Sequence, residues 1–178
     1  MCESGQDLIV LDQHAAHERI LYEKLKQSRN RKTESQGLLI PETIDLNYRE
    51  AIVLKKFLPE LMTLGFEIEP FGGDTFAIKS VPAVLGEREI KTLVVEIVEK
   101  WIEDGSVEVA EKALDDSIKL MACHGAIRAN QRLTSLEIKV MLEQLDACEN
   151  PSNCPHGRPT WIKLEKKFFE KAFKRIVN

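Results

Sequence analysis

An α+β fold is the expectation for this 178-residue chain. Three observations predict it. Short β-type runs and amphipathic helical stretches are both present. They follow one another without the regular strand–helix alternation of a parallel α/β fold. Two alternating segments are joined by Gly72-Gly73-Asp74, a hairpin signal.

LIVLD (8–12) is a short, continuously apolar run, which reads as a buried strand. The residues before it are too few for a full partner strand, so the start of the chain reads as part of a hairpin with Ser4–Gly5 near its turn. Residues 14–26 carry helix formers, with Ile20, Leu21 and Leu25 on one side. RNRKTESQG (29–37) is a loop by composition. QGLLIPETIDL (36–46) is apolar but interrupted by Pro41, so it is extended. A helix follows from about 48 to 64, with Pro59 as a kink point and Gly65 suited to its C-terminal cap.

The hairpin FEIEPF (66–71) and DTFAIKSV (74–81) comes next. Residues 88–104 form a helix with Leu93, Val94, Ile97, Val98 and Trp101 on one face, ended by Gly105; residues 109–128 form another. Thr134 and Glu137 make a capping box, with Leu133 and Ile138 as its hydrophobic staple. Ile138, Met141, Leu142 and Leu145 continue the helical stripe. Residues 147–160 form a loop, TWIKL (160–164) a strand, and Phe168, Phe169, Ala172, Phe173 and Ile176 mark a last amphipathic helix. The block 48–104 separates from the rest, because the chemically suggestive residues fall in 1–47 and 105–178.

A net charge of −4 and a pI near 5.7 set a constraint. Phosphate contacts need clustered Lys and Arg. Only KKFFEKAFKR (166–175) approaches a basic run, so an acidic chain acting on DNA must be delivered there by something else. No apolar run approaches ~18 residues, which excludes a helical membrane span. The start MCESGQD is not a signal peptide. Cys148 and Cys154 are close enough in sequence to bridge, but nothing indicates secretion, so the thiols are expected reduced.

The chemistry gathers in DQHAAHERILYE (12–23) and CPHGRP (154–159). His14 and Glu18 are four apart at the start of a helix and share its face. Pro155 and Pro159 disfavour helix around Cys154 and His156, and an extended backbone points residues i and i+2 the same way. With Asp12 and Cys123 these make two carboxylates, two imidazoles and two thiols. Six ligands are too many for one tetrahedral zinc and suit two ions. Two like charges ~4 Å apart repel by about 4 kcal/mol at an effective dielectric near 20, so such a cluster needs cations. Thiolates favour zinc; carboxylates also accept manganese. A two-metal clamp suits phosphodiester cleavage.

Taken residue by residue, blander readings stand beside this one. Asp12 can cap a helix. His14 can be an ordinary hydrogen-bonded histidine, and His17, one residue before Glu18, is expected exposed. Glu18 and Glu23 can be a solvated helix face. Cys123 on a mostly apolar helix can be core, and Cys154 with His156 can serve a purely structural zinc. The absence of an H-E-x-x-H helix disfavours a zinc hydrolase of small substrates.

At these residues the chain resembles the C-terminal domain of MutL-type DNA mismatch repair proteins, in the subgroup with endonuclease activity. The motifs are Asp12–Ala15 followed by Glu18 and Glu23, ACHGAIRAN (122–130), CPHGRP (154–159), and Phe173 with Arg175. Order and spacing agree over nearly the whole chain. One departure is His124, where the family usually has Lys or Arg directly after the cysteine; His124 can add a ligand, or contact phosphate when protonated.

The resemblance implies a nicking endonuclease dependent on zinc or manganese. Asp12 and Glu18 would be catalytic. Asp12, His14, Glu18, Cys123, Cys154 and His156 would hold the metal. Glu23, ~140° round the helix from Glu18, and Arg158 would support those ligands. It also implies an α/β dimerisation subdomain (1–47 and 105–178) with a smaller α/β regulatory subdomain (48–104) inserted. The implied partners are a second copy, double-stranded DNA, a mismatch-recognition protein and an N-terminal ATPase domain of the same protein, whose ATP site this chain does not contain. The implied location is the bacterial cytoplasm, at the nucleoid. QGLLIP (36–41) resembles the motif that docks on the replication sliding clamp, through Gln36, Leu39, Ile40 and Pro41; the alternative is a loop feeding a strand with Leu38 and Ile40 in the core. The rival function is a non-catalytic dimerisation and clamp-docking module with a structural zinc.

Overall fold

The computed structural model describes residues 2–4, 7–28, 34–86, 89–103, 110–128 and 130–175. They form six helices and two three-stranded antiparallel sheets, an α+β fold. The chain divides into two units. The first comprises Met1–Ile20 and Ile127–Asn178, the second Leu21–Ala126. The second unit is wider than the expected block 48–104. The reason is pairing: the strand of residues 35–45 is hydrogen-bonded into the same sheet as the hairpin and travels with it.

In the first unit, β1 (Cys2–Ser4) pairs with β2 (Asp7–Leu11), which pairs in turn with β6 (Trp161–Leu164). The short N-terminal run therefore does supply a partner strand, from Cys2 opposite Ile9 to Ser4 opposite Asp7; Gly5 of the expected turn lies outside the described residues. Helix α1 (Gln13–Ser28) starts in this unit, directly after β2. Helix α5 (Ser135–Asp146) begins at the expected capping box, Thr134 accepting from the Glu137 N–H and the Glu137 carboxylate accepting from the Thr134 N–H. Ala16 and Ile20 of α1 pack with Met141 and Leu145 of α5, joined by the half-buried Leu11, Leu133 and Cys148. Ile138 stays exposed, so it does not complete the staple. The last helix, α6 (Lys166–Ala172), is a short surface helix with no buried residue; Ile176 lies outside the described residues.

In the second unit, β3 (Ser35–Asp45), β5 (Thr75–Pro82) and β4 (Glu67–Gly72) form the sheet in that order. Gly72 and Gly73 turn the hairpin at φ of 125° and 55°, backbone that L side chains rarely adopt. Helices α2 (Tyr48–Thr63), α3 (Ile90–Glu103) and α4 (Ala110–Gly125) supply most of the core. α2 opens on a capping box at Asn47 and Glu50, and Pro59 is accommodated within it. The predicted face of α3 is buried from Leu93 to Trp101. Trp101 stacks against Phe57 with ring centroids 4.7 Å apart, and its Nε1–H donates to the Ala113 carbonyl at 2.9 Å. Among the described residues, no helix is long and apolar enough to cross a membrane.

Candidate metal centre

The first unit brings its second segment, Ile127–Asn178, to the start of α1. β2 hands over to the helix at Asp12. The Asp12 N–H donates to the Thr160 carbonyl at 2.9 Å, which fixes the strand end beside the start of β6. Its carboxylate oxygen Oδ1 accepts from the backbone N–H groups of His14 (2.9 Å) and Ala15 (3.2 Å). Asp12 is thus an N-terminal cap, satisfying donors that a helix start leaves open. It stands outside the two donor clusters of the described residues.

One turn later, the i,i+4 spacing brings His14 Nε2 to 3.3 Å from Glu18 Oε1. The other ring nitrogen, Nδ1, lies 3.0 Å from the Ile127 carbonyl. The carbonyl can only accept, so Nδ1 carries the proton of that bond, and Nε2 is the ring nitrogen turned to the carboxylate. His17 is half-buried rather than exposed: its Nδ1 accepts from the Ile127 N–H at 3.0 Å. The two histidines therefore hold the backbone of one residue, Ile127, by its carbonyl and by its N–H.

CPHGRP folds as a closed turn instead of running extended. The Gly157 N–H donates to the Cys154 carbonyl at 2.9 Å, and the Cys154 N–H to the Arg158 carbonyl at 2.8 Å. Gly157 has φ of 84°, which favours glycine. Asn153 Nδ2 donates to the Gly157 carbonyl at 3.1 Å, and Asn153 bridges to Pro159. Tightening replaces the i,i+2 logic of a strand, yet Cys154 and His156 still face one way.

They face Glu18. Ligand atoms of Glu18, Cys154 and His156 all lie within 4.8 Å of one another. Glu18 and Cys154 are buried, whereas His156 is 41% exposed. His156 Nδ1 is 3.7 Å from Glu18 Oε2. Arg158 Nη2 donates to both Glu18 oxygens, at 3.1 and 3.0 Å. Its bond to the Cys154 sulfur, and then the Glu18 charge, hold the guanidinium above its usual range.

A carboxylate, a thiol and an imidazole converging on one point are the ligand types that zinc takes. The donor set fits a divalent transition metal on that ground.

The other expected residues are distributed along the chain. Cys123 is half-buried on α4, and Glu23 is buried on α1, both within the second unit. His124 Nε2 lies 2.8 Å from Glu96 Oε2 of α3, so the residue that departs from the family pattern is paired inside its own unit. Gln36, Leu39, Ile40 and Pro41 lie on β3. Leu39 and Ile40 are 95% and 77% exposed, while Leu38 packs against the core; Ile40 is not a core residue. Phe173 is exposed at the end of α6, and the Arg175 N–H donates to the Glu170 carbonyl at 2.7 Å.

Arg19 was not singled out by the sequence. It is buried, and its Nε–H donates to the Asn153 carbonyl at 2.6 Å. No local signal marks it, because an arginine on a charged helix reads as solvated.

The family described as the MutL C terminal dimerisation domain matches residues 1–133. DNA mismatch repair protein MutL of Citrifermentans bemidjiense is 42% identical over 177 residues, covering 99% of this chain and 27% of that protein. Its counterpart from Geobacter sulfurreducens is 39% identical over 177 residues, 99% of this chain and 29% of that protein. The one from Azotobacter vinelandii is 39% identical over 176 residues, 98% and 28%. The chain thus spans little more than a quarter of these relatives' length. The alignments to them run through almost all of it, including the loop at 154–159 that lies past the family match. With the family match covering residues 1–133, the chain belongs to the MutL C-terminal dimerisation domain family.

Proposed function

We propose that this chain is a divalent-metal-dependent DNA-nicking domain that acts in mismatch repair and self-associates. The observation that carries the reading is the convergence of Glu18, Cys154 and His156 within 4.8 Å, around a buried carboxylate. Zinc or manganese held there would supply positive charge to the oxygens of a phosphodiester. Glu18 would be the shared carboxylate, flanked by His14 on one oxygen and His156 on the other. His14 is oriented by its bond to Ile127. Asp12 and Cys123 join the ligand set on the motifs they occupy. Arg158, exposed over 57% of its side chain, would release Glu18 to a cation and contact a phosphate.

The rival, a structural zinc in a docking module, is less well supported. Structural zinc sites are closed four-coordinate shells, whereas His156 keeps two-fifths of its surface open. The acidic net charge fits an enzyme that is delivered rather than one that finds DNA alone. Leu39 and Ile40, exposed on β3, would dock on the sliding clamp and supply that delivery. A second copy would cover the apolar side chains that the first unit leaves open, Trp161, Ile162, Phe168 and Phe173. The mismatch-recognition protein, an ATPase domain elsewhere in a longer protein and a place at the bacterial nucleoid complete the reading.

The deciding experiment measures bound metal and the nicking of supercoiled plasmid with manganese. Wild type is compared with Asp12→Asn and Glu18→Lys. Both variants are expected to fold and self-associate, and to lose nicking by at least a hundredfold, the scale of removing one charge-stabilising group. Normal nicking by Glu18→Lys would refute the site.

A further inference from the structure

Arg19 adjoins the central carboxylate but points away from the donors. It is only 8% exposed, and a guanidinium so enclosed has to be hydrogen-bonded. Its Nε–H donates at 2.6 Å to the carbonyl of Asn153, the residue directly before Cys154. The loop beyond that point closes on itself, through Cys154 to Arg158, Gly157 to Cys154, and Asn153 to Gly157. At the loop's other end, Arg158 reaches back to Glu18 at 3.0 and 3.1 Å.

Two arginines therefore cross between helix and loop in opposite directions. Arg19 runs from α1 to Asn153, and Arg158 runs from the loop to α1. Their anchor points bracket Cys154 and His156. Asn153 is covalently next to the thiol, and Arg19 is covalently next to Glu18. Two links thus bear on the separation between thiol and carboxylate: Arg19 through the Asn153 carbonyl, and Arg158, which bonds both the Cys154 sulfur and Glu18. A loop pinned at both ends presents its donors without further ordering, and that entropy is spent in folding rather than in binding.

We propose that Arg19 is a positioning residue for the metal centre: through the Asn153 carbonyl it holds Cys154 and His156 over Glu18 before an ion arrives. The inference rests on reading the cluster as a metal site. Groups that orient ligands without touching the ion typically contribute 10–100-fold to affinity.

The test uses Arg19→Lys and Arg19→Met, with zinc and cobalt as probes. Lysine keeps the buried charge but has no donor at the Nε position. Zinc affinity is read by competition with a chelator. The Cys154 bond is read by the thiolate-to-cobalt charge-transfer absorption, assigned with Cys154→Ala. Both variants are expected to fold, with a lowered metal-free unfolding temperature because the Asn153 carbonyl loses its donor. They should bind zinc roughly 10–100-fold more weakly and lose the Cys154-dependent absorption at sub-saturating cobalt. Zinc affinity equal to wild type in Arg19→Lys overturns the proposal. So does failure of both variants to fold, which makes Arg19 a core residue. If wild type and Cys154→Ala bind zinc equally, the metal reading itself falls and takes the positioning role with it.

Discussion

Glu18 is the residue on which the centre turns. A buried ionised carboxylate is costly unless it is paired and hydrogen-bonded. Arg158 meets both its oxygens, while His14 and His156 stand at 3.3 and 3.7 Å. The guanidinium stays charged, since its bond to Cys154 and the Glu18 charge push its titration upward. Removing Arg158 leaves a buried acceptor short of its main partner. Arg158→Met should therefore lower metal-free stability by roughly 1–3 kcal/mol, the cost of leaving such a group unsatisfied. Arg158→Lys should recover part of it, because an ammonium restores charge but not the planar fork. Urea unfolding checks both; a wild-type midpoint for Arg158→Met would mean the histidines alone suffice. At this scale the sequence was a good guide to His14, Glu18, Cys154 and His156, because their spacing and residue types carry the signal. It missed His17 and Arg19. Their partners, the Ile127 N–H and the Asn153 carbonyl, are backbone groups more than a hundred residues away, and backbone leaves no mark on composition.

Among the elements, β3 shows how a strand can both pair and present. Its ladder with β5 runs from Ser35 to Gly37 and again from Glu42 to Asp45, with a register shift between. The unpaired stretch contains Pro41, which has no N–H to donate to a ladder. A bulge of this kind resets which side chains face the core. That is why Leu38 packs inward while Leu39 and Ile40 both stand in solvent, a parity no strict alternation predicts. If the bulge is the clamp-docking segment, Gln36→Ala combined with Leu39→Ala should abolish pulldown by the sliding clamp. Zinc binding should be unchanged, since β3 belongs to the second unit and the Glu18–Cys154–His156 cluster to the first. Undiminished pulldown would dismiss the motif. The helices were more legible than this strand: the capping box at Thr134 and the buried face of α3 follow from short-range patterns. α6 was over-read, because three phenylalanines at helical spacing say that a face is apolar, not that it is covered.

On the scale of the whole molecule the two units are unequally furnished. The second has a large continuous core around Phe57, Trp101, Phe66 and Phe76. The first buries only Ala16, Ile20, Met141 and Leu145 in its cluster, and leaves Leu136, Trp161, Ile162, Phe168 and Phe173 exposed. So small a core contributes little stability by itself, and association is a common remedy. Amide exchange in residues 7–20 and 130–170 should therefore slow as protein concentration rises through the dimerisation range. Exchange around Trp101 should be nearly indifferent. Concentration-independent protection in the first unit would count against self-association through its open apolar side chains.

Local chemistry in the sequence determined the α+β class, the helix starts and the hairpin turn. These depend on periodicity, caps and turns, which act over a few residues. Only the tertiary structure decided where the second unit begins, that Asp12 is engaged as a cap, that CPHGRP is a closed turn, and that Arg19 and Arg158 tie it to α1. Each of those is a pairing between distant segments or a choice among several bonds open to one side chain. Such choices are settled by which partners the fold delivers.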